Sequence, residues 1–355
     1  RRCLAVGDTL TDRCDALLLT DLVDVRWLTG FTGSHAWVVV RRGEIVFGTD
    51  LRYRERAAAE TAPAGVSIVA RQRRDELHSE MLRALSGASC VGVDAATLTH
   101  DAWTTIARDV AIEPTPSVVK MLRRVKDDAE IERSAAAAAA ADLALAEGEP
   151  VLLDTVDRPI SEADIRTELE YRMRLHGADD RSYDTIVAAG PEHAARPHHE
   201  ASGRTIVEGD TVIIDVGGLV DGYHSDMTRS WVIGDPTPQQ REVHDLVAAS
   251  QDAGLAATRA GVTAKSVDDA CRSVFDDAGY LDWYPHGTGH GVGLDIHETP
   301  FHNQTSRDEL ASGMVVTVEP GLYRDGFGGV RFVDLVGVTD TGHRVVTHSP
   351  KRPST

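Results

Sequence analysis

The sequence predicts a mixed α/β (α+β) chain of two domains, and three observations carry that expectation. The first third alternates short apolar runs with stretches of helical spacing, the pattern of a layered domain. At 355 residues the chain exceeds the ~250–300 residues at which a single core stops growing. Around residue 120 the composition shifts, as Pro114 and Pro116 give way to the basic stretch Lys120–Lys126. The boundary is placed there, giving domains of 1–122 and 123–355.

Asp15–Thr20 (DALLLT) and Ala36–Val40 (AWVVV) are continuous apolar runs of strand length, and Arg41–Gly43 makes a turn into a returning strand, Glu44–Gly48. Helical spacing marks Arg52–Thr61, Asp75–Leu85 and Asp101–Asp109, with strands expected near Val66–Ala70 and Cys90–Val93. Beyond the boundary, Asp127 and Asp128 put negative charge where a helix N-terminus favours it. The alanine-rich helix that follows is expected to stop at about Gly148, just before Pro150. A second helix starts at about Ser161, with Glu162 and Asp164 in its first turn, and ends at His176-Gly177. Two more, Gln239–Ala260 and Ala264–Ala278, precede a strand-rich end.

Composition excludes some functions. With 56 acidic residues against 37 basic ones the net charge is -19, which disfavours nucleic acid and anionic membrane surfaces as partners. The alanine run Ser134–Ala141 is closed by Asp142, well short of the ~20 apolar residues that span a bilayer. Cys3, Cys14, Cys90 and Cys271 form no CxxC pair, so neither a disulfide framework nor a thiolate zinc site is expected. No secretory leader is read, and a cytoplasmic location is the expectation.

The chemistry concentrates after residue 190. Eleven of the 15 histidines lie between His193 and His348. The densest segment runs His286-Gly-Thr-Gly-His290-Gly-Val-Gly-Leu-Asp-Ile-His297, three imidazoles on glycine-rich backbone that suits close approach to a ligand rather than a helix. Thr211–Asp215 is an apolar strand ending in an acid, and Asp226 follows eleven residues later, a separation that a hairpin closes. Met314–Glu319 is another apolar strand ending in an acid. A buried carboxylate is costly unless paired or bound to a cation. Two aspartates, a histidine and a glutamate suit a divalent ion such as Mn, Co, Fe or Zn.

The order Asp215, Asp226, His290, Glu319, with Pro197-His198-His199 upstream and Gly329-Val330-Arg331 downstream, resembles the pita-bread metallopeptidases. That family includes aminopeptidase P, prolidase (Xaa-Pro dipeptidase), methionine aminopeptidase and creatinase. Asp21–Ser34 and Thr49–Tyr53 resemble the creatinase-type N-terminal domain, which points to the Xaa-Pro peptidases. The resemblance implies a three-layer N-terminal domain and a catalytic domain whose curved antiparallel sheet is covered by helices. It also implies a cytoplasmic homodimer acting on small peptides through a metal-activated water. In that likeness Asp215 holds one ion, Asp226 bridges two, and His290 and Glu319 complete the other. Glu319 also relays the proton of the water, while His198 and His297 shuttle protons or stabilise the oxyanion. His286, Tyr223 and Arg331 match positions that support the ligands or bind substrate.

One position departs from the pattern. Where the family reads Gly-Val-Arg-Ile-Glu-Asp, with the glutamate as the second bridging ligand, this chain has Gly329-Val330-Arg331-Phe332-Val333-Asp334. Valine cannot coordinate a metal, and side chains alternate along a strand, so Asp334 is expected to face away. The expectation is one or two ions with fewer than two held tightly, and impaired peptidase activity. Two other readings follow from the departure: a non-peptide C–N hydrolase of the creatinase type, or an inactive binding protein.

Overall fold

The computed structural model describes residues 2–10, 14–154 and 159–351. The chain divides into two compact units between Arg123 and Arg124.

The first unit is built on a six-stranded mixed sheet. Its central strand Ala16–Leu19 is wholly buried, pairing antiparallel with Ala36–Arg41 and parallel with Val91–Asp94. Gly43, at φ 80, makes the expected turn into Glu44–Asp50. The helix Arg74–Leu85 buries Leu77, Met81 and Leu85, spaced by four so that they share one face, in a core with Leu18, Trp37, Val39 and Val91. The stretch expected as one helix from Arg52 begins instead as a 3-10 turn, Leu51–Tyr53, capped by the Asp50 carboxylate, and turns α-helical over Arg54–Glu60.

The second unit layers helices on antiparallel sheets. Asp127 and Glu130 form a capping box at the start of the helix Asp128–Leu153. This helix does not stop at Gly148 but runs through Gly148 and Pro150 to Leu153. Packing explains the glycine: a Cβ at 148 would sit 2.6 Å from Leu169 Cδ2 on the next helix, Glu162–Leu175. The alanines serve the same purpose, since a Cβ at Gly218 would lie 2.6 Å from the Ala137 carbonyl oxygen. Small residues on both elements therefore let helix backbone lie directly on the strand Gly218–Val220.

Two sheets bring the chemistry-bearing strands together. In the first, Thr211–Val216 lies between Ile186–Ala189 and Met227–Val232. In the second, Gly289–Gly291 pairs with Glu298–His302 and with Val315–Val318, and the latter pairs with Asp334–Val338. A bridge between Thr228 and Val333 links the two. The helices Pro238–Ala257 and Ala264–Asp277 cover the second sheet through Leu255, Val267 and Cys271, which pack on Val316, Val318 and Val336. No helix among the described residues is long and apolar enough to cross a membrane.

Candidate metal centre

Asp215 is the fifth residue of its strand, directly across from Thr228, and Asp226 immediately precedes the partner strand. The antiparallel return thus brings the two carboxylates together. Between them stands Tyr183, whose hydroxyl lies 2.5 Å from Asp215 Oδ1 and 2.9 Å from Asp226 Oδ1, its one proton shared. Burial and the two anions push the Tyr183 hydroxyl well above its ordinary pKa, so it stays a donor.

His290 approaches from the second sheet. Its Nδ1 donates to the Gly291 carbonyl at 3.0 Å, which turns Nε2 toward the carboxylates, the nitrogen that would hold an ion. Nε2 lies 3.4 Å from Asp226 Oδ2 and 3.8 Å from Glu319 Oε2. The three residues offer ligand atoms within 4.8 Å of one another. Donors about 2.1 Å from a common ion stand roughly 3.0–3.4 Å apart when adjacent, so the mixed oxygen and nitrogen set fits a divalent cation. Burial opposes charge on His290, but Glu319 and Asp226 outweigh it and hold the imidazole up at about 9. Burial raises Glu319 to about 7, against the pull of His290 and with a push from Asp226. An excess of buried negative charge that recruits a proton is the electrostatic state a cation relieves.

Asp215 has a different partner. Arg331 Nη2 donates to Asp215 Oδ2 at 2.6 Å, while the rest of the guanidinium donates to Thr228 Oγ1, the Pro197 carbonyl and the Tyr323 hydroxyl. The Tyr323 hydroxyl in turn lies 3.0 Å from His286 Nε2, and His286 Nδ1 donates to the Gly287 carbonyl. Burial pushes His286 down to about 4, so it is a neutral link in this chain.

A cavity of about 610 Å³ opens on the centre. Its walls include Asp215, Asp226, His290 and Glu319, and also His198, His286, His297 and Arg331. The His297 ring meets His290 edge-on with centroids 4.5 Å apart. Tyr223 is not brought there: its hydroxyl donates to Glu130 Oε1 at 2.6 Å, beneath the alanine-rich helix. The phenol over the carboxylates belongs to Tyr183, which sequence reading missed. Its only local mark is a place just before the buried strand Ile186–Ala189, 32 and 43 residues from its partners.

Val333 is fully buried, and its backbone exchanges hydrogen bonds with Thr228. Asp334 faces elsewhere, as alternation requires, held by Arg229, Thr347 and Lys351.

Residues 129–340 match the model of metallopeptidase family M24, and residues 9–125 match the creatinase/prolidase N-terminal domain. This chain belongs to metallopeptidase family M24. Its M24 relatives include the uncharacterized peptidase YqhT of Bacillus subtilis, 36% identical over 95% of this chain and 94% of that one. Among solved structures, the Xaa-Pro dipeptidase from Bacillus anthracis is similar at TM-score 0.92 and 34% identity, covering 99% of this chain and 97% of the other. The X-Pro aminopeptidase from Thermotoga maritima is similar at TM-score 0.87 and 28% identity, covering 99% of each chain. The M24 chain therefore combines the creatinase-type N-terminal domain with the pita-bread catalytic fold.

Proposed function

We propose that this M24 metallopeptidase hydrolyses the bond before proline in small Xaa-Pro peptides, as a cytoplasmic homodimer that holds one divalent ion tightly. The observation that carries the reading is the convergence of Asp226, His290 and Glu319 on one point at the floor of a cavity walled by His198 and His297. The likeness to an Xaa-Pro dipeptidase and an X-Pro aminopeptidase supports the substrate class.

When bound, a Mn, Co, Fe or Zn ion supplies Lewis acidity toward a water and a carbonyl. Glu319 takes a proton at its carboxylate and returns it to the departing amine. His198 and His297 donate to the carbonyl oxygen as it gains charge, an interaction whose loss typically costs ~2.7–4 kcal/mol of barrier. Arg331 and Tyr183 keep Asp215 and Asp226 aimed at the same spot. A second ion would find Asp215, already paired with Arg331, a share of Asp226, and no carboxylate at Val333. That poverty supports a single tight site.

The test is a panel of Xaa-Pro dipeptides and longer Xaa-Pro peptides with added Mn or Co, alongside metal analysis. Turnover with about one tightly held ion per chain is expected. No turnover by the parent or by Val333→Glu would sink the peptidase reading, and two tightly held ions would sink the stoichiometry.

A further inference from the structure

A second group of ionisable side chains lies outside the centre. Glu162, the first residue of the helix Glu162–Leu175, has a fully buried carboxylate. It accepts five hydrogen bonds. Oε1 receives the Ala189 amide at 2.8 Å and His193 Nδ1 at 2.9 Å; Oε2 receives His199 Nε2 at 3.1 Å, the Ser202 amide at 3.0 Å and the Ser202 hydroxyl at 2.7 Å. The His193 and His199 rings lie against each other with centroids 4.2 Å apart and planes tilted by 32°. Glu162, His193 and His199 are close enough to hold an ion. These donors already occupy the oxygens' lone pairs, so the arrangement is an anchor rather than a vacant ligand set.

What the carboxylate anchors gives it a function. Its donors come from both ends of the segment 189–202, and between them lie Pro197, whose carbonyl accepts from Arg331 Nη1, and His198, on the cavity wall. Hydrogen bonds to the ionised form outweigh burial and keep Glu162 below its ordinary pKa, so it stays a carboxylate. We infer that Glu162 is a positioning residue for His198, pinning both ends of the segment that presents this imidazole to the substrate. The inference rests on the peptidase reading above, because it assigns His198 a part in the reaction. Buried charge-assisted hydrogen bonds are the strong kind, and a displacement of ~1 Å at a reacting group can cost roughly 100-fold in rate.

Glu162→Gln keeps the shape but cannot accept all five bonds. Three measurements decide the matter: kcat on an Xaa-Pro dipeptide with added Mn, the same in a His198→Ala background, and amide hydrogen exchange of the segment 189–202. We expect kcat to fall roughly 10- to 100-fold in the parent background with Mn content unchanged. No further fall is expected once His198 is gone, and exchange in 189–202 should quicken while the strand Thr211–Val216 stays protected. A purely structural role would lower kcat by the same factor in both backgrounds, and that result overturns the inference. If the parent turns over no Xaa-Pro peptide, the functional reading fails separately, and exchange alone decides the anchoring, with unchanged exchange in 189–202 counting against it. Should Glu162→Gln not fold, Ser202→Ala, which removes one bond of the five, is put through the same comparisons with smaller effects of the same sign.

Discussion

Val333 stands in the same cross-strand row as Asp215. Thr228 is paired with Asp215 on one side and with Val333 on the other, and residues directly opposite in antiparallel strands share a face. A carboxylate at 333 would therefore project toward Asp215, whereas Asp334 is turned to Arg229.

Restoring an acid there should rebuild a second ion position. In Val333→Glu, a carboxylate enters a fully buried place, so without metal the variant should be less stable than the parent by a few kcal/mol, roughly the cost of an unpaired buried charge. Added Mn should raise its melting temperature more than the parent's, together with bound metal and peptidase activity. Equal metal content in the two proteins would refute the assignment of position 333.

Tyr183 tests how the aspartates are held. Tyr183→Phe removes the proton shared by Asp215 and Asp226 and leaves two buried carboxylates without it. A hydrogen bond to a charged group is worth ~1.5–3 kcal/mol, so kcat/KM should drop roughly 10- to 100-fold at fixed Mn. Steady-state kinetics with wild-type values would remove Tyr183 from the centre.

Arg331 joins four partners through one planar fork, and Asp215 depends on it. Lysine keeps the charge but not the geometry. Arg331→Lys should cost both stability and activity, with chemical denaturation showing a loss on the order of 2–4 kcal/mol, less than the ~3–5 expected for removing the cation outright. Denaturation curves that overlay would show the fork to be dispensable.

Acid should weaken the fold through buried histidines. His302 is fully buried, and burial, with a lesser push from His290, lowers it to about 4 from an ordinary 6.5. Between those values the unfolded chain binds the proton and the folded chain does not. The stability linked to His302 is therefore complete above pH ~6.5 and is lost as pH falls through about 4, up to ~3 kcal/mol in all. His286 shifts the same way, so the contribution is isolated by His302→Leu, whose unfolding free energy should fall less steeply over this window. Identical slopes for parent and variant would dismiss it.

Much of the centre was legible in the residues. Asp215 and Glu319 stand where apolar runs end, Asp226 follows Asp215 at a separation that a hairpin closes, and buried acids brought together ask for a cation. His286, His290 and His297 sit on glycine-rich backbone, and all three line the cavity. Tyr183 and Glu162 were not legible, because their partners are brought near only by folding. Tyr223 misled for the same reason: its neighbours in the chain belong to the site, but its hydroxyl faces Glu130. Gly148 misled through its type, since a glycine before a proline reads as a stop when neighbouring Leu169 is unseen.

Residue types and spacing alone established the mixed α/β class, the absence of basic character suited to nucleic acid and the ligand candidates, while the missing acid at Val333 is what the family resemblance implies. Those properties are local, written into apolar periodicity, charge and side-chain chemistry. Three matters were decided by tertiary structure: that Asp226, His290 and Glu319 meet, that Arg331 occupies Asp215, and that Glu162 ties down the segment bearing His198. Each depends on strand register and on contacts across tens to more than a hundred residues, which only the closed fold specifies.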